Sequence, residues 1–350
     1  MSVSIPAISR STPASRIAGA MALVLLGILI AAPWWGSRAT QHLIGEFATY
    51  VALASLWNLL AGYTGLVSVG QQAYMGLGGY VLFTCALFLG LNPLLAIPLA
   101  GLAAALLAIP VAALVFRLQG AYFAIGTWVV AEVFRLSFSQ VQALGGGSGT
   151  SLPVAAVKSI AEAKDVREAL IYWVALALGA GTVGLVYGLL RSRIGLALTA
   201  IRDSEVASSS LGVKITNVKF AVYILVAAVT AMVGALIFLQ KLRISPNAGF
   251  DVNDWTAFVI FIVVIGGIGT IEGPVIGTIV YFLLRQYLAD YGSIYLMILG
   301  ALAIVIMLVA PQGIWGFVKK RFGVSLFPTG YRVHWTEQPG QHSAIANADC

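Results

Sequence analysis

The chain has 350 residues, 60% hydrophobic and 9% charged, with a formal net charge of +7. Typical soluble domains carry about 25% charged residues, so a water-soluble core could not absorb this much apolar surface. The Lys and Arg residues sit at the ends of apolar runs, which marks membrane topology and contact with a lipid bilayer rather than nucleic-acid binding.

Met1–Arg16 is a polar segment with Arg10 and Arg16 just before the first apolar run. Ile17–Trp35 reads as a retained span and not a cleaved signal peptide, because Pro33 directly follows the small residues Ala31 and Ala32. His42–Ala61 is the second span and Ala73–Gly90 the third; between them Gly62–Gln72 is uncharged and rich in glycine. Leu94–Phe116 follows Asn92–Pro93 and ends at Arg117, and Ala121–Ser139 holds Glu132 and Arg135. A polar loop, Val141–Glu168, contains the glycine run Gly145–Gly149. It neither follows a strand nor opens a clear helix, so it reads as a turn and not as a phosphate cradle.

Ala169–Leu190 is the sixth span. The loop Arg191–Lys219 carries Arg191, Arg193, Arg202, Lys214 and Lys219 against only Asp203 and Glu205. Asp203 or Ser204 can cap a short helix there, Glu205 falls in its first turn, and Gly212 is placed to end it. Phe220–Gln240 is the seventh span and Lys241–Asp254 a polar loop. Trp255–Ile268 and Val275–Asp290 are short spans flanking Gly266–Pro274, and Ser293–Ala310 is the last. Phe322–Cys350 is a polar tail expected to be mobile.

The expected fold is an all-α polytopic membrane protein with about ten transmembrane helices and two Gly-rich broken-helix segments. Because two spans are short, eight or nine helices stay open. The membrane domain covers 17–321, between a cytoplasmic N-terminal segment, 1–16, and the 322–350 tail. Ten spans put both ends on one side. With that side inside, Lys and Arg at 10, 16, 117, 191, 193, 202, 214, 219, 319, 320 and 321 are inside, against 38, 158, 164, 167, 241 and 243 outside. This bias predicts cytoplasmic termini.

Backbone that leaves helical geometry inside hydrocarbon must be buried in protein or line a wet cavity, and Gly-broken short spans point to a transport site. Gly65, Ser68, Gln71, Gln72 and Tyr74 are therefore candidates for a path taken by a small polar solute. Gly76, Gly78, Gly79 and Gly277 read better as close-packing positions. Glu132 and Arg135 share one helix face; an ionisable pair at that depth is either a pathway element or a self-satisfied structural pair. No His/Cys cluster has metal-ligand spacing, no catalytic constellation recurs, and no G-x-x-x-x-G-K-[ST] loop is present. No metal, cofactor or ATP of its own is expected on this chain.

Six segments resemble one family: 62–80, 120–136, 144–149, 194–213 (IGLALTAIRDSEVASSSLGV), 266–277 (GGIGTIEGPVIG) and 310–316. They are similar to the permease subunits of branched-chain amino acid ABC importers, the LivM-like branch. The resemblance implies a second, LivH-like permease subunit, two ATP-binding subunits that hold ATP, and a periplasmic substrate-binding protein. It also implies a bacterial inner-membrane location and a coupling role for the 191–219 loop, with Arg202, Asp203, Glu205, Leu211 and Gly212 against the ATPase. The family's E-A-A…G pattern is matched loosely, since Val206 replaces the first Ala. Permeases for urea, amides or aromatic acids would look alike, and an ion-coupled secondary transporter using Glu132 is the rival from another class.

Overall fold

The computed structural model describes residues 5–9, 13–288, 291, 293–310, 312–322, 326–328 and 332–336. The rest of the 1–16 segment and of the 322–350 tail lies outside the described residues. The chain is almost wholly helical. In order it forms α1 (Pro13–Ile30), α2 (Arg38–Thr64), α3 (Gln71–Phe88), α4 (Pro93–Val115), α5 (Ala121–Ser139) and α6 (Lys164–Arg191). Two short helices follow, α7 (Arg193–Asp203) and α8 (Glu205–Ser210). Then come α9 (Ile215–Lys241), α10 (Phe258–Gly266), α11 (Glu272–Leu288), α12 (Ser293–Val309) and α13 (Gly313–Phe322).

The all-helical, multi-span reading is what the structure shows. Among the described residues seven segments are long and apolar enough to cross a membrane: α2, α4, α5, α6, α9, Pro246–Gly266 and Leu296–Phe322. The helices α1, α3 and α11 are shorter or more polar. Polar Gln71 and Gln72 open α3, and α11 carries Glu272 and Arg285.

Local sequence explains most boundaries. Ser37 caps α2 by accepting the N–H of Thr40, and Asn92 caps α4 by accepting that of Leu94. The first apolar run is not one helix to Trp35, as expected, because α1 ends at Ile30 and Ala32–Trp35 forms a separate turn containing Pro33. Gly65 ends α2 in the left-handed conformation, at φ 70°.

The centre of the bundle is α2 with α9, the most buried of the long spans. Around them α3, α4, α6, α10 and α11 pack closely, while α1, α5 and α12 stay peripheral. Bilayer hydrocarbon is as apolar as leucine, so contact between helices here depends on close backbone approach. A side chain at Gly78 of α3 would collide with the carbonyl of Ala231 in α9, and one at Gly234 with that of Met75. Gly70 and Gly277 likewise face backbone carbonyls, of Thr127 and Ile262, while Gly76 and Gly79 are closed in by the side chains of Phe250, Phe238 and Ile244.

Two small antiparallel pairs tie distant segments. Thr150–Ser151 pairs with Arg243–Ile244, joining the 140–163 loop to the end of α9. Ile5–Ser9 pairs with Arg332–Thr336, joining two segments far apart in the chain.

Candidate functional site

Both glycine-rich breaks dock on the same stretch of α2. After Gly65 the chain doubles back in extended form along the last turns of that helix. Leu66 donates its N–H to Leu60 O at 3.1 Å, Trp57 Nε1 donates to Ser68 O at 2.8 Å, and Gln71 Nε2 donates to Leu53 O at 3.1 Å. Seven residues of α helix rise about 10 Å. So α3 begins deep inside the bundle, and the extended segment replaces its missing first turns. The free backbone groups are met by protein: Val69 N–H reaches Thr127 Oγ1 at 3.1 Å and Gly70 N–H reaches Ser68 Oγ at 3.2 Å.

The second break is the turn between α10 and α11. Gly267 and Gly269 adopt φ 131° and 73°, which no other residue takes without strain. Asn58, fully buried on α2, holds this turn from both sides: Gly269 N–H donates to its Oδ1 and its Nδ2 donates to Thr270 O, each at 2.7 Å. Gly62, one turn further, has no room for a side chain against Gly269. Asn58 had no distinguishing signal in the sequence beyond being a lone amide in an apolar run.

Of the residues expected to line a path, Ser68, Gln71, Gln72 and Tyr74 come together and are buried, while Gly65 is exposed at the mouth of the segment. Thr256 Oγ1 donates to Gln72 Oε1, and the Tyr74 and Tyr223 hydroxyls lie 3.1 Å apart. Gln71 Oε1, Gln72 Nε2 and Ser55 Oγ find no hydrogen-bond partner among the described residues. These are orphaned polar groups in an apolar interior, the kind that a passing polar solute can satisfy.

Glu132 stands apart from this group. Its carboxylate takes the Arg135 guanidinium at 2.5 Å, and Arg135 Nη1 also donates to Asn247 Oδ1 at 2.9 Å. The pair is half-exposed and satisfies itself across one helical turn.

The 191–219 loop forms two helices where one was expected. Asp203 closes α7, and Ser204 caps α8 by accepting the N–H of Ala207 at 3.3 Å. Gly212 follows at φ 82°. Leu198 and Ile201 bury α7 against the bundle, while Val206 and Leu211 project outward at 78% and 81% exposure. Glu205 pairs with Lys219 of α9 at 2.5 Å, fixing α8 to a central helix. Arg202 lies near Asp203, 3.3 Å away, and over the Tyr63 ring. With Gly62, Gly269, Thr270, Lys319 and Lys320 it lines a cavity of about 670 Å³ between this loop and α13.

On the opposite face a smaller cavity of about 240 Å³ opens among the ends of α2, α9 and α11 and the turn before α10. Glu46, Lys241, Asp254 and Arg285 line it, with Tyr50, Trp255, Phe258 and Tyr281 as walls. Arg285 Nη1 donates to Glu46 Oε1 at 2.6 Å. These four charges are scattered along the chain, so only the fold brings them together.

A helical bundle with seven apolar segments long enough to cross a bilayer, and two breaks satisfied by protein groups, is a multi-span membrane protein. Residues 40–310 match the family described as branched-chain amino acid transport system, permease component, and the chain belongs to it. Among curated relatives it is similar to the high-affinity branched-chain amino acid transport system permease protein LivM of Salmonella typhimurium and that of Escherichia coli. Each is 27% identical over 332 residues, covering 89% of this chain and 77% of the relative. It is also similar to a probable branched-chain amino acid transport permease protein LivM of Methanocaldococcus jannaschii, at 25% identity over 265 residues, covering 69% of this chain and 75% of the relative. No solved structure matches the chain.

Proposed function

We propose that this chain is one permease subunit of an ABC importer for branched-chain amino acids. It pairs with a second, LivH-like permease. Two ATPase subunits bind ATP below it and a periplasmic binding protein delivers solute from above. The α7–α8 face is cytoplasmic, as are both termini, and the membrane is the bacterial inner membrane. The basic residues clustered on that face support this orientation.

The observation that carries the reading is α8: a capped helix that projects Val206 and Leu211 while Glu205 ties it to α9. Exposed apolar side chains on a braced helix suit docking to a partner that pushes. ATP-driven closure of the ATPases moves Asp203–Leu211, the movement passes through Lys219 into α9, and the bundle opens to the other side. Solute passes by Ser68, Gln71, Gln72 and Tyr74. Neutral amides and hydroxyls with an apolar surround fit leucine, isoleucine or valine, the substrate class in the relatives' names.

The test is transport by the complete complex in proteoliposomes. Labelled leucine should enter with ATP inside and binding protein outside, and urea should not. Entry driven by an ion gradient without ATP would replace this reading with secondary transport. Orientation is tested in intact cells with a Ser209→Cys variant and a membrane-impermeant thiol reagent. Ser209 is exposed on α8, so labelling from outside would overturn the topology.

A further inference from the structure

The 240 Å³ cavity on the face away from α8 has an unusual charge arrangement. Glu46 and Arg285 satisfy each other. Lys241 and Asp254 line the same space, yet among the described residues neither has an ion-pair partner within 4.0 Å. Lys241 Nζ instead rests over the Trp255 ring, 4.6 Å from its centre. Lys241 is exposed and Asp254 half-buried, so both charges are open to a solute that enters the cavity. Two opposite charges that share a small cavity without closing on each other leave room for a molecule carrying both.

We infer that this cavity is a holding site for the zwitterionic head of a small α-amino acid, with Asp254 receiving the ammonium and Lys241 the carboxylate. The four charges sum to zero, so a net cation or anion gains less there than a neutral dipolar solute. The volume lies below the roughly 300–1,000 Å³ of sites for drug-sized ligands, which limits the occupant to a small molecule. Tyr50, Phe258 and Tyr281 form an aromatic wall beside the charges, which suits an apolar side chain. Two residues past Asp254, Thr256 bonds Gln72, whose neighbour Gln71 carries an orphaned amide oxygen. The segment that carries Asp254 into the cavity thus also holds one of the buried amides. The inference rests on the importer reading and adds to it a binding site on the permease itself.

The experiment is equilibrium binding to the assembled complex in lipid nanodiscs, without the binding protein. The probes are leucine, 4-methylpentanoate (carboxylate only) and 3-methylbutylamine (ammonium only). Asp254→Asn and Lys241→Met should each weaken leucine at least tenfold. The amine should lose affinity only in Asp254→Asn, and the acid only in Lys241→Met. Lys241→Cys should regain leucine binding when the thiol is modified with an ethylammonium reagent, and not with an ethylsulfonate one. Binding-protein-stimulated ATP hydrolysis reports that each variant is assembled, and the two modified forms of one variant remove folding as an explanation. Leucine affinity equal to wild type in both charge variants, or no leucine binding by wild type, overturns the site. If wild type imports leucine but the variants bind it normally, only this inference falls. If the charge pattern holds yet the complex moves no leucine with ATP, the importer reading falls and the site stands.

Discussion

The side-chain oxygen of Asn58 accepts the backbone N–H of Gly269 at 2.7 Å, across 211 residues of chain. Together with the return bond from Nδ2 to Thr270 O, this anchors the α10–α11 turn to the central helix. Asn58→Leu would leave one buried donor and one buried acceptor unmet, at a cost of about 1–3 kcal/mol each. The variant should melt at a distinctly lower temperature in detergent, read by fluorescence-detected size exclusion, whereas Asn58→Gln should recover part of the loss. An unchanged melting temperature in Asn58→Leu would show that the turn holds itself.

Gly78 and Gly184 predict opposite outcomes from similar substitutions. A side chain at Gly78 strikes the Ala231 carbonyl, while a Cβ at Gly184 on α6 meets nothing within 4 Å. Gly78→Val should force α3 and α9 apart and abolish accumulation in the membrane. Gly184→Ala should be neutral or stabilise by up to about 1 kcal/mol through helix propensity. Equal expression and melting of the two variants would contradict the close packing described for α3 and α9.

Much of this was legible in the chain. The glycine runs at 62–80 and 266–277 announced the two breaks, and Ser204 and Gly212 announced α8, because glycine and caps act locally. What helical periodicity could not supply was direction. Spans such as α4 are apolar on every side, so no stripe marks the face toward the core. The destination of Gln71 and Gln72, sealed against Leu53 and Thr256, was invisible for that reason. Glu46 and Arg285 fell inside spans with no partner in view and Lys241 and Asp254 in a polar loop, since nothing local distinguishes a charge that snorkels to water from one that lines a cavity.

Glu205 and Lys219 are tied at 2.5 Å, with the Glu205 side chain 54% exposed and that of Lys219 13%. The carboxylate side of the pair faces solvent, so its loss should be tolerated by the fold, which the melting temperature of the variant checks. Glu205→Lys should instead separate ATP hydrolysis from uptake, cutting leucine transport several-fold while hydrolysis continues. The exchange Glu205→Lys with Lys219→Glu should restore it in part. Normal coupling in the single variant would remove α8 from the transmission path.

Glu132→Gln distinguishes the importer from an ion-coupled rival. The carboxylate is occupied by Arg135, and Arg135 keeps Asn247 as a second partner. Uptake by the ATP-driven complex should fall less than about twofold, in keeping with a half-exposed pair worth under about 1 kcal/mol. Complete loss of uptake with intact ATP hydrolysis would assign Glu132 to solute or ion movement.

Glu272 is 8% exposed at the start of α11, and its Oε1 accepts the N–H groups of Leu326 and Phe327 at 3.1 and 2.9 Å. Phe327 also packs edge-on against Tyr187 of α6. This stretch of the tail is thus held to the bundle through one carboxylate. Hydrogen bonds to a charged group contribute about 1.5–3 kcal/mol, and each 1.4 kcal/mol is tenfold in an opening equilibrium. When opening is fast relative to cleavage, the rate of proteolysis follows that equilibrium. Trypsin should therefore cut the full chain after Arg321 roughly 10- to 100-fold faster in Glu272→Ala than in wild type. Glu272→Gln, which keeps a neutral acceptor, should fall between them. Equal cutting rates in all three would mean that the tail is retained without Glu272, by Phe327 packing or by the pairing of Arg332–Thr336 with Ile5–Ser9, and Phe327→Ala would separate those two.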